Sequence, residues 1–128
     1  MAKRRAVLNI PGRARMAPIP DGVRIGNMVF SSALTGIDMT TNETPADPGL
    51  QAELLFKNIR AFMETAGGSI DDIAHLTLYL KEGTPRDAFD AEWGKMFPDP
   101  DDRPARHRIA MPLRGDTHYQ VELIAVLP

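Results

Sequence analysis

The alternation of apolar and polar positions divides this chain into short strands and two helices. Val23-Arg24-Ile25 and Met28-Val29-Phe30-Ser31 flank Gly26-Asn27, and two β-prone runs around such a pair read as a tight hairpin. Arg5-Ala6-Val7-Leu8-Asn9 reads as a short edge strand ahead of it. Pro11 to Pro20, rich in proline, glycine and arginine, reads as a loop, and so does the polar stretch from Thr35 to Gly49 with Pro45 and Pro48. Leu54, Leu55, Ile59, Phe62, Met63 and Ala66 recur at helical spacing, which predicts a helix over 50–66 with one apolar face, stopped by Gly67-Gly68. Ile73 to Leu80 has strand alternation, with Ala74, Leu76, Leu78 and Leu80 toward one side and His75, Thr77 and Tyr79 toward the other. Thr84 as N-cap and Pro85 in the first turn open a second helix, which runs to about Phe97 with Phe89, Trp93, Met96 and Phe97 as its apolar side. An acidic, proline-rich loop, Pro98 to Pro104, follows.

The C-terminal stretch reads as a second hairpin: an extended segment through Met111, a Gly115-Asp116 turn, and a longer strand, Tyr119 to Val126. On that last strand Tyr119, Val121, Leu123, Ala125 and Leu127 share one face, and Gln120, Glu122, Ile124 and Val126 share the other. The order ββ(β)-α-β-α-ββ predicts an α+β layer: a single mixed sheet of about six strands with two helices on one face. The second face of the sheet must then meet water or another subunit. Because both faces of the last strand are partly apolar, an oligomer is the simplest cover.

Composition narrows the chemistry. A chain of 128 residues, 43% apolar and 25% charged, fits one domain over residues 1–128. The formal net charge of −2 gives no general attraction to phosphate backbones, so no nucleic-acid partner is expected. The absence of cysteine excludes disulfides, thiolate catalysis and Cys-ligated metal. Met1 to Arg5 is basic but no long apolar run follows it, so neither a signal peptide nor a membrane span is expected, and a cytoplasmic location is the default.

Arg106 is the leading candidate for chemistry. Pro104 fixes its own φ and biases Arg103 toward extended geometry, which stiffens the approach to the strand. A guanidinium held there is a fork suited to a carboxylate, although pairing with Asp101, Asp102 or another subunit would make it structural. His107 and His118, placed on the two arms of the expected hairpin, could serve as acid or base, or simply be solvated; His75 is a weaker candidate. The three histidines lack metal-ligand spacing such as His-Glu-x-x-His, so no metal is expected. Ser32 has no evident base and orienter to make it a nucleophile. Trp93 reads as helix packing or cleft wall, and Gly67-Gly68 lacks the Lys-Ser/Thr of a phosphate loop.

Pro104-Ala105-Arg106, followed by a strand and the closing Val121-Glu122-Leu123-Ile124-Ala125-Val126, resembles the C-terminal signature of the RidA/YjgF family. Pro18, the Gly26-Asn27-Met28 turn, Ser31-Ser32, Pro45-Ala46, Asn58-Ile59, Ala66-Gly67 and Trp93 extend the resemblance over nearly the whole chain. It implies a chorismate-mutase-like fold, a homotrimer with sites in clefts between subunits, and hydrolysis of reactive enamines and imines with no metal or cofactor. By position, Arg106 would clamp the carboxylate of a small substrate, with Ser32, Ala33, Ile19 and His107 around it. Gln120 stands where the archetypal deaminases carry a glutamate that orients or activates water. A glutamine can hold a water but cannot take its proton at neutral pH. Glu122, two residues on along the same face, is the candidate replacement base, or else a partner for Arg108 or Arg114. Further departures are Ile19 for a tyrosine, Ala33 for a glycine and Asp90 for a helix-two asparagine. The resulting expectation is hydrolytic deamination of a carboxylated enamine or imine to a 2-oxo acid and ammonia. The alternatives are a non-catalytic binder of small acidic metabolites and, against the acidic charge balance, a ribonuclease or translation inhibitor.

Overall fold

The computed structural model describes residues 3–13 and 18–128. Among these residues seven strands and two α-helices follow in the order β1 (Ala6–Leu8), β2 (Gly22–Ile25), β3 (Met28–Ser31), β4 (Leu34–Thr35), α1 (Pro48–Thr65), β5 (Ile73–Lys81), α2 (Asp87–Met96), β6 (Ala105–Met111) and β7 (Tyr119–Val126). The loop expected over Pro11–Pro20 is irregular at the ends that are described, and its residues 14–17 lie outside the described residues, as do residues 1 and 2 of the basic start.

One sheet holds every strand, in the order β1-β2-β3-β7-β5-β6, with the two-residue β4 also paired to β7. This adds one strand to the six expected, at the head of the stretch read as loop. β3 and β4 form one interrupted edge along β7: Phe30 lies opposite Ile124, and Leu34 resumes opposite Val121. In the gap the Ser31 hydroxyl accepts a hydrogen bond from the Leu123 N–H at 2.8 Å, so the central strand keeps its partner where the backbone ladder lapses.

The C-terminal hairpin expected from the sequence does not form. β6 pairs with β5, in parallel, and β5 lies between β6 and β7. A parallel pair needs a crossover, and α2 supplies it, making β5-α2-β6 a βαβ unit. The segment with Gly115-Asp116 is therefore no hairpin turn but a bridge over the end of β5. It is fixed by the Lys81 N–H to the His118 carbonyl at 2.9 Å and by Lys81 Nζ to the Gly115 carbonyl at 2.7 Å.

Both helices cover one face of the sheet, as expected. α1 starts two residues earlier than its apolar periodicity indicated. Asp47 caps it by accepting from the Leu50 N–H at 2.9 Å, and Pro48 occupies the first turn, where its missing donor costs nothing. Its C-terminus closes with Gly67 at φ 84° and a bond from the Gly68 N–H to the Met63 carbonyl at 3.0 Å. α2 starts later than expected, at Asp87, with no side-chain cap from Arg86. Thr84 is not its N-cap, because its hydroxyl is drawn to His118 Nδ1 at 2.8 Å, and the Pro85 carbonyl accepts from the Tyr119 hydroxyl at 2.8 Å.

The core lies between helices and sheet, where Leu55, Ile59, Phe62 and Met63 of α1 meet Leu76 and Leu78 of β5 and Val121 and Leu123 of β7. Phe89 of α2 stands between Phe56 and Tyr119, with ring centroids 4.9 and 5.8 Å away. The alternation read along β5 holds from Leu76 onward but not at its start. A register shift between Ile73 and His75 turns Ile73 inward and leaves Ala74 exposed, the reverse of the expected phase. Two polar residues sit on the buried stripe of α1. Asn58 donates to the carbonyls of Thr35 and Ile37, and Gln51 donates to those of Pro45 and Asp116 while accepting from the His118 N–H at 2.9 Å. β4 runs so close to α1 that a Cβ on Gly36, the residue after β4, would collide with the Gln51 carbonyl oxygen.

Candidate active site

Strand pairing decides which candidates can meet. Residues opposite each other on neighbouring strands share a sheet face. Arg106 lies opposite Leu76, and Leu76 opposite Leu123, so Arg106 belongs to the helix-covered face, at its β6 margin. His107, Thr77 and Glu122 form one rung of the opposite face, and Ile109, Tyr79 and Gln120 form the next. Within one chain, Arg106 is therefore separated by the sheet from Gln120, Glu122 and His107.

Arg106 is gripped by α2. Its guanidinium carbon lies 4.9 Å from the Phe89 ring centroid and 5.0 Å from that of Trp93, and Nη2 donates to Asp90 Oδ1 at 2.6 Å. Phe89, Asp90 and Trp93 fall on adjacent positions of one helix surface, so a single turn of α2 supplies both the aromatic walls and the anion. The partner anticipated within the chain was Asp101 or Asp102; it is Asp90. The Arg106 side chain keeps 20% of its surface exposed and Asp90 keeps 40%, so the pair rims the surface rather than the core. Asp90 Oδ2 also lies 3.4 Å from Arg86 Nε, one helical turn back.

The other face is open. A concavity of about 250 Å³ there is lined by Phe30, Ser31, His75, Thr77, Glu122, Leu123 and Ile124. Glu122 accepts a hydrogen bond from the Tyr79 hydroxyl instead of pairing with Arg108 or Arg114. That hydrogen bond, with some burial and the nearby negative charge, raises the Tyr79 phenol above its ordinary pKa. Tyr79 thus stays protonated at neutral pH and orients the carboxylate. Phe30 and Val126, 37% and 40% exposed, add apolar surface to this face.

The remaining candidates take structural or peripheral places. The Ser32 hydroxyl donates to the Pro20 carbonyl at 2.8 Å, which ties the β3–β4 gap to the preceding loop. Ala33 and Ile19 are exposed beside it. His118 has both ring nitrogens engaged: Nε2 lies 3.0 Å from the Ala46 carbonyl, to which it donates, and Nδ1 lies 2.8 Å from the Thr84 hydroxyl. Its ring joins two loops and has no nitrogen left for a substrate. Sequence reading missed Tyr79 as the partner of Glu122: alternation put each on one side of its own strand, but only the β5–β7 pairing brings the two together. Among the described residues no group of three or more His, Cys, Asp or Glu could hold a metal ion, and no helix is long and apolar enough to cross a membrane.

Comparisons with known proteins identify the family and the fold. The family model described as "Endoribonuclease L-PSP" matches residues 13–127. The 2-iminobutanoate/2-iminopropanoate deaminase of Escherichia coli K12 is 31% identical over 134 aligned positions, covering 98% of each chain. Among solved structures, the YjgF gene product of E. coli superposes with a TM-score of 0.82 at 29% identity, covering 94% of this chain and 96% of that one. E. coli TdcF, solved with bound serine, superposes with a TM-score of 0.84 at 27% identity, covering 95% and 98%.

Proposed function

The chain belongs to the RidA/YjgF family, and from that premise we propose that it hydrolyses a carboxylate-bearing enamine or imine to a 2-oxo acid and ammonia. The observation that carries the reading is the setting of Arg106: a guanidinium walled by two aromatic rings, partly open to solvent, at the margin of an edge strand. Such a group binds a planar carboxylate in a fixed orientation. The compounds in the name of the E. coli relative and the amino acid bound in TdcF are small molecules that carry a carboxylate, which supports this reading.

The chemistry asks little of the protein. Imines hydrolyse unaided, so holding the carboxylate, presenting the C=N carbon and placing one water supply most of what is needed. Gln120 would hold that water, and Glu122, oriented by Tyr79, would take its proton. These groups lie across the sheet from Arg106 in one chain, which favours a site completed by a second copy. The apolar open face supports a homotrimer whose clefts bring Arg106 of one copy toward Gln120 and Glu122 of the next. Ser32, Ala33, Ile19 and His107 would border that cleft.

Ammonia release from imines generated in place by an amino-acid oxidase tests the activity. Arg106→Ala is expected to lower turnover by at least about 100-fold while light scattering still gives the mass of three copies. Full activity in that variant would end the assignment. Gln120→Glu is expected to raise the rate by restoring a carboxylate at the water. Binding of 2-oxo acids without any turnover would instead favour the metabolite binder.

A further inference from the structure

Arg106 already faces a carboxylate from its own chain, and this bears on which ligands the proposed clamp accepts. The two oxygens of Asp90 are held unequally. Oδ1 lies 2.6 Å from Arg106 Nη2, whereas Oδ2 has only the 3.4 Å contact with Arg86, between side chains 53% and 40% exposed. A contact that long and that exposed is easily displaced. Arg106 presents five N–H donors, and Asp90 takes one of them.

A simple anion arriving at the free N–H groups meets the guanidinium's attraction and the repulsion of Asp90 a few ångströms away. A carboxylate with a positively charged nitrogen on the neighbouring carbon escapes that penalty. Its carboxylate takes the unused N–H groups while its nitrogen takes Oδ2 in place of Arg86. A protonated 2-imino acid has this shape.

We propose that Asp90 is a specificity-determining residue of the Arg106 site, a counter-charge that selects zwitterionic ligands, a carboxylate beside a cationic nitrogen, over simple anions. The inference rests on the carboxylate clamp proposed above and names the ionic form it takes. That form is also the reactive one. Water bonds through oxygen to the imine carbon, the C=N π pair moves onto nitrogen, and one proton of the added water, taken by Glu122, is passed on to it. The C–N bond then breaks as the hydroxyl oxygen becomes a carbonyl, its proton passes to solvent, and ammonia leaves. The product has lost its cation, so the same preference speeds its departure.

Titration calorimetry of the full chain with L-alanine and with pyruvate, which differ chiefly in the nitrogen, tests the proposal. The wild-type protein is expected to bind alanine about tenfold tighter than pyruvate. Asp90→Asn, near-isosteric on an exposed helix surface, is expected to abolish or invert that ratio, and Asp90→Glu to keep it. An unchanged ratio in Asp90→Asn would overturn the inference and leave the clamp standing. Failure of the wild type to bind either ligand, or equal binding by Arg106→Ala, would remove the clamp and the inference together.

Discussion

The eight residues of β7 build two surfaces with different demands. Toward the helices, Tyr119, Val121, Leu123 and Ala125 are almost completely buried, and each fills space against α1, α2 or β5. On the other side Gln120 and Ile124 are half-buried, while Glu122 and Val126 are exposed. The covered face is a solved packing problem, so a change there acts on folding. The open face mixes an amide, a carboxylate and aliphatic groups without closing over them, so a change there acts on what the chain meets. Arg106 straddles the contrast: it lies on the helix side, yet at the margin where α2 stops shielding the sheet. The period of two puts chemistry and core one residue apart, and a single register slip would exchange them.

The contrast can be tested by substitution, beginning with the deepest group. Phe89→Ala removes a fully buried ring that joins Phe56, Tyr119 and the guanidinium of Arg106, and is expected to cost about 3–5 kcal/mol in urea unfolding. A cost below about 1 kcal/mol would mean that the covered face is not the stabilising one. Gln51→Ala leaves two carbonyls and the His118 N–H without their partner, for an expected loss of about 2–3 kcal/mol and faster hydrogen exchange at His118.

Tyr119→Phe is expected to cost about 1 kcal/mol near neutral pH through the lost bond to Pro85. It also has an alkaline signature. Burial, then the charges of Asp87, Asp90 and Asp47, raise the Tyr119 phenol above its ordinary value of 10.0. A group raised on folding contributes stability that is intact below the unfolded value and lost as pH climbs through the folded one. Wild-type stability should therefore fall above about pH 10, and Tyr119→Phe should lack that part of the fall, as alkaline melting series would show. Tyr79→Phe, on the open face, is expected to change stability by less than about 0.5 kcal/mol. A larger cost that grows with protein concentration would show that a second copy closes over this face.

Much of the layout was legible because it is written locally. The Gly26-Asn27 hairpin, the stripe of α1 and the two faces of β7 each follow from spacing within a few residues. Pairing partners across the sheet are not local. Nothing in the segment from Ala105 to Val126 says that β5, over twenty residues earlier, slips between its two strands. The crossover through α2 was the available clue. The cap of α1 was readable from Asp47-Pro48, and Gln51 and Asn58, seven apart on an otherwise apolar stripe, signalled buried amides needing partners. For the candidate site, the strand pattern put Gln120 and Glu122 on one face. The separation of Arg106 from them depends on the parallel register of β6, which no spacing reveals.

The position of β7 has a consequence for how the molecule comes together. It is last among the strands in chain order and yet has neighbours on both sides, β3 and β4 on one and β5 on the other. Until it docks, the sheet is two unjoined pieces, β1-β2-β3 and β5-β6, and the two-stranded piece is too narrow to be stable alone. Assembly should accordingly be late and all-or-none, with a rate set by the long-range search of this one segment. Clipping even a few residues from it should leave a collapsed chain with no stable half.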